Sequence, residues 1–485
     1  MRSIWLLLSI FTTIGSYYGN AQEQSQTEAI QGRYITISRN NPTYFAYSDG
    51  TPYIPIGINM INPSGHYMNQ PDSAFAEIET WMRNLSQNGG NYIRVWLSNS
   101  FWDIEEEAGK YNEAKAARID RFIELARKYH LKIKLTLEHF RSITLEENPQ
   151  TWATKFAYHH SKGGPLDSVE QYLTSPEGRQ LFLNKVKYYK NRYGSDTLFF
   201  GWELWNEMNA MQVPKDSTFF TWNEQMLAAV KRAFPRNLVM QSLGSFDGDY
   251  VKQTYLHMMR LPGNEVAQVH RYLDLGAAYE VCHGPMDIIC ASAVKELLSY
   301  HTGKPVLLAE TGAVEPHHAG PSHYYPLDTA GILLHDIIFA PFFSGSAGTG
   351  MSWHWESYVA KNNLWYHYGR FREAIQGINP IDEHFSPSLI ETDSLRIYVL
   401  KGKTTTLAWI RDKNSNWQTE LDKKIPARTL HHLRLDAAPL GIKKGSRIKV
   451  YDPWLNKWNQ LNGTAYGLTL PDFKRSLVLR FNRDK

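Results

Sequence analysis

Cysteine is nearly missing from this chain: Cys282 and Cys290 are the only two in 485 residues. Two cysteines alone cannot build a structural zinc site. Past the N-terminal stretch, no segment approaches the roughly 18 consecutive apolar residues of a membrane span. There is no long Lys/Arg run, and 52 basic against 48 acidic residues leave a formal charge of only +4. The basic stripe or patch of a nucleic-acid-binding protein is therefore lacking. Internal repeats and low-complexity linkers are also missing, so a flexible tether between domains is not expected.

What the chain does contain is apolar and aromatic. Apolar residues make up 42%, enough for a packed core, and 15 Trp and 28 Tyr are many. Such rings either fill a large core or stack on the apolar faces of sugars, and composition alone leaves both open. At the N-terminus, Arg2 precedes an apolar stretch from Ile4 to Ile14 and the small-residue site Gly19-Asn20-Ala21. That is the order of a secretory signal over residues 1–21, which predicts a secreted or periplasmic protein. No Cys lies near Ala21 to carry a lipid anchor. In an oxidising compartment, Cys282 and Cys290 are expected to form a short-loop disulfide.

From Tyr53 to Ile378, short apolar runs alternate with helical patterns, the mark of βαβ units. Eight strands are predicted: Tyr53–Asn59, Asn91–Leu97, Lys132–Glu138, Leu198–Leu204, Leu238–Leu243, Val266–His270, Pro305–Glu310 and Gly348–His354. Between the second and third, Ile119, Phe122, Ile123 and Ala126 form one helical stripe. Ser175-Pro176 reads as a helix cap and first residue. Residues 33–52 read as a hairpin turning at Asp49-Gly50. After Pro387 the pattern changes to strands alone. The fold class is thus α/β: a (β/α)₈ barrel over 22–385, then an all-β sandwich over 386–485.

Strand alternation sorts the barrel residues. Leu198, Phe200, Trp202 and Leu204 suit the helix side, leaving Gly201, Glu203 and, at the rim, Glu207 inside. Tyr92, Arg94 and Trp96 face in, as do Gln268, His270 and Tyr272. Leu307 and Ala309 face out, while Glu310 ends the inward set. Two carboxylates with Arg, His and Tyr thus converge on the C-terminal face, where barrel enzymes keep their active sites. Burying like charges together is costly, which argues for chemistry rather than structure. A carboxyl pair of this kind suits glycoside cleavage, one group protonating the leaving oxygen and the other attacking or activating water.

Taken in order, these residues resemble the retaining glycoside hydrolases of clan A, and most of all family 5, the cellulases and mannanases. The resemblance rests on Arg94, on His139 after the third strand, and on Asn206-Glu207 within Gly-Trp-Glu-Leu-Trp-Asn-Glu. It continues with His270-Arg271-Tyr272, with Glu310 within Leu-Leu-Ala-Glu-Thr-Gly, and with Trp353 or Trp355 after the eighth strand. Met208 stands where many family members have Pro.

The resemblance implies double displacement with Glu207 as acid/base and Glu310 as nucleophile. It places Asn206 at the sugar 2-hydroxyl, His139 and His270 along the cleft, and one of the two tryptophans under a sugar. No cofactor or metal is implied, and the partner is a β-linked polysaccharide or oligosaccharide, attacked internally. Exo action on oligosaccharides and non-catalytic carbohydrate binding are the alternatives. The run Glu105-Glu106-Glu107 reads as a solvated loop rather than a calcium site. His317, His318 and His323 lack zinc-ligand spacing. Trp409, Trp417, Trp454 and Trp458 either stack on sugars or pack the C-terminal domain onto the barrel.

Overall fold

The computed structural model of the protein describes residues 32–482, apart from 148–152, 212, 214, 437 and 464–466. The signal segment 1–21 lies outside the described residues. An antiparallel meander opens the fold: β1 (Ile35–Ile37), β2 (Phe45–Tyr47) and β3 (Pro52–Tyr53). Its second turn is at Asp49-Gly50, where Gly50 takes φ 90°. Tyr53 therefore belongs to the meander and not to the first barrel strand as expected. Pro52 and Pro55 bracket it and lack the N–H groups a continuous strand would use.

The barrel strands are β4 (Gly57–Asn59), β5 (Tyr92–Trp96), β6 (Lys132–Glu138), β7 (Phe199–Trp205), β8 (Leu238–Met240), β9 (Ala267–His270) and β10 (Val306–Glu310). Parallel pairing runs from β4 through β8, and again between β9 and β10. Between β8 and β9, single bonds bridge the gap: Glu265 N donates to Val239 O (3.1 Å) and Phe246 N to His270 O (2.8 Å). The eighth position is not the regular strand expected. Residues 347–353 bond irregularly, Met351 N to Leu308 O (3.0 Å) on one side and Asn59 N to Ser352 O (3.2 Å) on the other. Through them the ring closes. Gly348 and Gly350 permit this close path, since a Cβ on either would lie 2.5 Å from the backbone oxygen of Pro55 or Ile337.

Helices follow the strands. They include α1 (Pro71–Gln87), α2 (Glu113–Lys128), α3 (Val169–Thr174), α4 (Pro176–Tyr193), α5 (Asp216–Ala233), α6 (Lys252–Arg260), α7 (Met286–Leu298) and α8 (Ile332–Phe343). The stripe Ile119, Phe122, Ile123 and Ala126 is buried on α2. Ser175 caps α4 by accepting from Gly178 N, and Pro176 opens it.

Two bulges alter the alternation read from sequence. In β7, Ile133 pairs with Phe199 but Lys134 with Gly201, so Phe200 is an extra residue. Phe200 was expected on the helix side, but the bulge turns it into the barrel floor against Tyr92 and Phe45, with ring centroids at 4.8 and 5.0 Å. In β10, Leu308 pairs with Val269 and Glu310 with His270, leaving Ala309 extra. Leu307 therefore also packs in the floor, opposite to expectation, and Glu310 still faces inward.

Two further expectations fail. Cys282 and Cys290 are free and buried rather than bridged. Cys290 lies on α7 with Sγ 3.9 Å from Thr311 Oγ1, and burial pushes the Cys282 thiol up to about 11. Glu105 is not solvated. It is buried against Lys185 Nζ (3.0 Å) and Tyr158 OH (2.6 Å), while Glu106 and Glu107 are exposed. A buried lysine needs carboxylate partners, and Glu105 and Glu138 supply them.

The C-terminal region holds β11 (Ser386–Glu391), β12 (Leu395–Lys401), β13 (Thr405–Asp412), β14 (Arg434–Leu435), β15 (Arg447–Asp452), β16 (Lys457–Asn462), β17 (Leu468–Thr469) and β18 (Ser476–Asn482). Six form one antiparallel sheet, ordered β11-β12-β13-β18-β15-β16, and β14 pairs with β17 in a ribbon. One face, with Ile397, Val399, Ile410 and Leu479, is covered by Leu430, Leu435, Leu468 and Phe473 from the ribbon and loops. The other face lies on α7 and α8. All twelve residues of α8 are buried, as a sequence apolar on every side but for His335 and Asp336 requires. Arg396 reaches Asp287 (2.6 Å) and Arg411 reaches Asp336 (2.8 Å) across this contact. The four tryptophans face it too. Trp409 packs on Phe339 at 5.8 Å, Trp417 Nε1 donates to Gly284 O, Trp454 packs on His335, and Trp458 Nε1 donates to Glu373.

Candidate active site

A buried polar layer crosses the barrel above its floor. Arg94 on β5 is fully enclosed and spends its fork on five neighbours, Thr136 Oγ1 (3.2 Å from Nε) among them. Nε donates to Glu203 Oε2 (2.7 Å), Nη2 to Asn206 Oδ1 (2.8 Å), and Nη1 to Asn59 Oδ1 (3.2 Å) and Glu310 Oε1. Burial disfavours its charge, but Glu203 and Glu310 outweigh that and hold Arg94 above its ordinary value. Thr136 Oγ1 donates to Glu203 Oε2 (2.6 Å), with Lys134 Nζ 3.6 Å away. Burial would raise the Glu203 carboxyl, yet Arg94 and Lys134 hold it well below the usual range. Burial pulls Lys134 down to about 7 against the attraction of Glu203.

Glu310 ends β10 with its second oxygen engaged as well, accepting from Tyr272 OH at 2.8 Å. Burial, then the Glu310 charge, push the Tyr272 phenol well above its ordinary value, so it remains a donor. Glu310 is thus gripped from two sides by groups that do not release protons near neutrality.

Glu207 is held differently. It follows β7 in the left-handed region (φ 52°, ψ 52°), a conformation that costs a non-glycine residue about 1–2 kcal/mol. Asn206 N donates to Glu138 O (2.8 Å) and Ala210 N to Glu207 O (2.9 Å), so the chain reverses sharply at this residue. The turn aims the carboxylate back over the barrel mouth. Oε1 accepts from His270 Nδ1 (2.9 Å) and Oε2 from Arg141 Nη2 (2.6 Å). His270 Nδ1 is also 3.4 Å from Glu310 Oε2. Its Nε2 is buried without a hydrogen-bond partner among the described residues. Burial would raise Glu207, but the His270 hydrogen bond and the Arg141 charge bring it down to about 2. An oxygen of each glutamate and the His270 nitrogen all lie within 4.8 Å of one another.

Above the pair opens a cleft of about 810 Å³. Glu207, Glu310, Tyr272 and Trp353 line it. Arg94, Asn206 and His270 lie beneath as buried supports. His139 was expected along the cleft. It stacks instead on Trp96 at 5.0 Å and bonds Ser98 Oγ through Nδ1 (2.7 Å), so it braces the ring that does face the cleft. Trp355 is buried core, perpendicular to Trp353 at 5.7 Å, because the chain turns into a helical segment at residue 355 and carries the ring inward.

His317 and His318 form part of the cleft wall. His318 Nδ1 bonds Asp274 Oδ2 (2.8 Å), and its Nε2 is 3.2 Å from Ser245 Oγ. Among the described residues, two groupings gather three possible metal-ligand atoms within 4.8 Å: Glu207–His270–Glu310, and His159–His160–Asp167. In the first, Arg94 and Arg141 already supply the positive charge.

Sequence reasoning missed Arg141, Asn59, Thr136 and Lys134. The last two carried a signal: Lys132, Lys134 and Thr136 alternate with Ile133, Leu135 and Leu137 along one strand. Arg141 and Asn59 carried none.

Comparison with known proteins agrees with this geometry. A sequence model described as cellulase (glycosyl hydrolase family 5) matches residues 48–326, more than half of the chain. The chain is 24% identical over 294 residues to mannan endo-1,4-beta-mannosidase 7 of Arabidopsis thaliana, covering 54% of this chain and 65% of that protein. To mannan endo-1,4-beta-mannosidase 1 of Oryza sativa subsp. japonica it is 23% identical over 252 residues, 47% of this chain and 56% of that one. The chain thus spans less than two thirds of these relatives. A solved glycoside hydrolase family 5 structure from Bacteroides vulgatus shares the fold at a TM-score of 0.60 and 11% identity, covering 93% of this chain and 94% of the other. With the barrel and both glutamate positions inside the matched span, the chain belongs to glycosyl hydrolase family 5.

Proposed function

We propose that the protein is a retaining endo-hydrolase of β-linked mannan, with Glu310 as nucleophile and Glu207 as acid/base. The observation that carries this reading is the unequal holding of two close carboxylates. Glu310 is fixed by Arg94 and Tyr272. Glu207 stands at a strained turn with Arg141, a cleft-lining residue, as one of its partners. An oxygen-to-oxygen approach within 4.8 Å supports the roughly 5–5.5 Å carboxyl spacing of retaining enzymes over the wider inverting one.

In the first step a Glu310 oxygen attacks the anomeric carbon while Glu207 delivers its proton to the departing glycosidic oxygen. To be an acid, Glu207 must be protonated, so its ion pair with Arg141 opens as substrate enters. Esterification removes the charge of Glu310. Arg94 is not stranded, because Glu203 remains as its permanent partner. In the second step Glu207 takes a proton from water, whose oxygen releases the sugar and restores the Glu310 carboxylate. Arg94 occupies Asn206 Oδ1, which fixes the amide with its NH₂ available for the sugar 2-hydroxyl. Trp353 offers its ring as the sugar platform.

Mannan and internal cleavage rest on the names of the plant relatives. The C-terminal sheet and ribbon are read as a sandwich over 386–485 that braces the barrel domain, 22–385. Export through residues 1–21 suits a polymeric substrate. The test is reducing-sugar release and product size on β-mannans, β-glucans, xylan and galactans, with Glu310→Gln as control. Short manno-oligosaccharides, absent in the control, support the reading. Monosaccharide alone supports exo action, and binding without release by the unaltered protein supports a binding role.

A further inference from the structure

We propose that Tyr250 is the stacking platform of a subsite for the leaving-group side of the substrate, a sugar ring one or more units beyond the bond that is cut. This rests on the glycosidase reading above. Tyr250 is 72% exposed, and among the described residues no large apolar or aromatic side chain is more so. It is nevertheless held in place. Its hydroxyl donates to the Asp247 carboxylate, and its ring lies so close over Gly248 that a Cβ there would be 2.4 Å from the ring. The loop beneath is tied down by Tyr279, whose N donates to Asp247 O (2.8 Å) and whose hydroxyl donates to Asp249 Oδ1 (2.6 Å). An exposed ring that has lost its rotamer freedom before any ligand arrives is a pre-organised apolar surface. The flat CH face of a pyranose is the matching ligand, with hydroxyls left to water.

Its place around the barrel gives the side. Tyr250 lines the cleft on the loop after β8, beside β7 and its acid/base Glu207. Ser242 Oγ accepts from Glu207 N (3.4 Å) and Gly244 N donates to Asn209 Oδ1 (2.7 Å), so this loop borders the acid/base directly. Trp353 occupies the eighth barrel position, beside β10 and Glu310, across the ring from β7. The acid protonates the departing oxygen, so the departing chain leaves over the Glu207 side and toward Tyr250.

The test compares mannohexaose with β-mannobiosyl fluoride, whose leaving group is a single atom that reaches no such subsite. For Tyr250→Ala the KM for mannohexaose rises about tenfold or more with kcat little changed, while mannobiosyl fluoride is cleaved as by the parent enzyme. Gly248→Ala, which displaces the ring without removing it, shifts mannohexaose the same way. Tyr250→Phe, which keeps the ring but releases it from Asp247, raises the KM for mannohexaose less than Tyr250→Ala does. Equal losses on both substrates, or no change on mannohexaose in Tyr250→Ala, overturn the proposal. A parent enzyme that cleaves neither substrate overturns the mannan reading instead.

Discussion

Arg94 and Glu310 share a buried charge-assisted hydrogen bond whose arginine is already claimed by a second carboxylate, Glu203 at 2.7 Å. A planar fork can serve Glu203, Asn206 and Glu310 at once, and a lysine cannot. Arg94→Lys is therefore expected to lower kcat by about 100-fold or more, with substrate binding changed far less. Arg94→Ala leaves two buried carboxylates facing each other and is expected to cost about 3–5 kcal/mol of stability. Steady-state kinetics and denaturant melts check the two effects.

Arg141 lowers the Glu207 carboxyl, and its removal lets that carboxyl rise toward the value burial favours. The proposed mechanism needs Glu207 protonated, so the alkaline limb of its kcat/KM profile reports the Glu207 ionisation in the free enzyme. Arg141→Ala is expected to move that limb to higher pH. An unmoved or lowered limb contradicts the assignment of Glu207 as the acid.

Trp353 and Trp355 separate by function. Trp353→Ala is expected to reduce kcat/KM about tenfold or more through lost ring contact, with stability nearly unchanged. Trp355→Ala opens a core cavity and is expected to cost about 3–5 kcal/mol. Matched kinetics and thermal melts on both variants decide it.

The barrel and the C-terminal sheet are joined by buried ion pairs. Arg411→Ala is expected to destabilise by about 3–5 kcal/mol, because Asp336 stays buried without its partner. Arg411→Met combined with Asp336→Leu is expected to recover most of that loss. Removal of everything after Pro387 exposes the apolar α8 and is expected to give insoluble protein. A soluble, active barrel contradicts the bracing role.

His367 is fully buried, and burial pulls it down to about 4. The unfolded chain takes up this proton near pH 6.5, and the folded protein does not until near pH 4. Stability associated with neutral His367 is thus complete above pH 6.5 and lost as pH falls from there toward 4, by about 3 kcal/mol. His367→Gln is expected to flatten part of the acid dependence of the melting temperature, measured between pH 7 and pH 4. His335 and His354, which burial also lowers, add to the same slope.

The parts of this architecture that repeat were readable in the chain. Period-2 alternation placed Arg94, Glu203, His270 and Tyr272 inside the barrel, and the stripe on α2 oriented a helix. What could not be read was each departure from repetition. The bulges at Phe200 and Ala309 add one residue to a strand, and nothing local in Phe-Phe-Gly or Leu-Ala-Glu announces them. Trp353 and Trp355 share a parity, and only the turn after residue 353 separates the cleft ring from the core ring. Glu105 looked like any acidic loop residue because its partner Lys185 lies 80 positions along the chain. Arg141 reaches Glu207 from a loop, and loop geometry leaves no periodic trace.

In the proposed mechanism Glu310 forms the covalent bond and Glu207 moves the proton. The most direct measurement incubates the enzyme with a 2-deoxy-2-fluoro β-mannosyl fluoride, digests the trapped protein and maps the adduct by mass spectrometry. One glycosyl group is expected, on the peptide containing Glu310 and esterified to that residue. An adduct on Glu207 or on any other residue contradicts it.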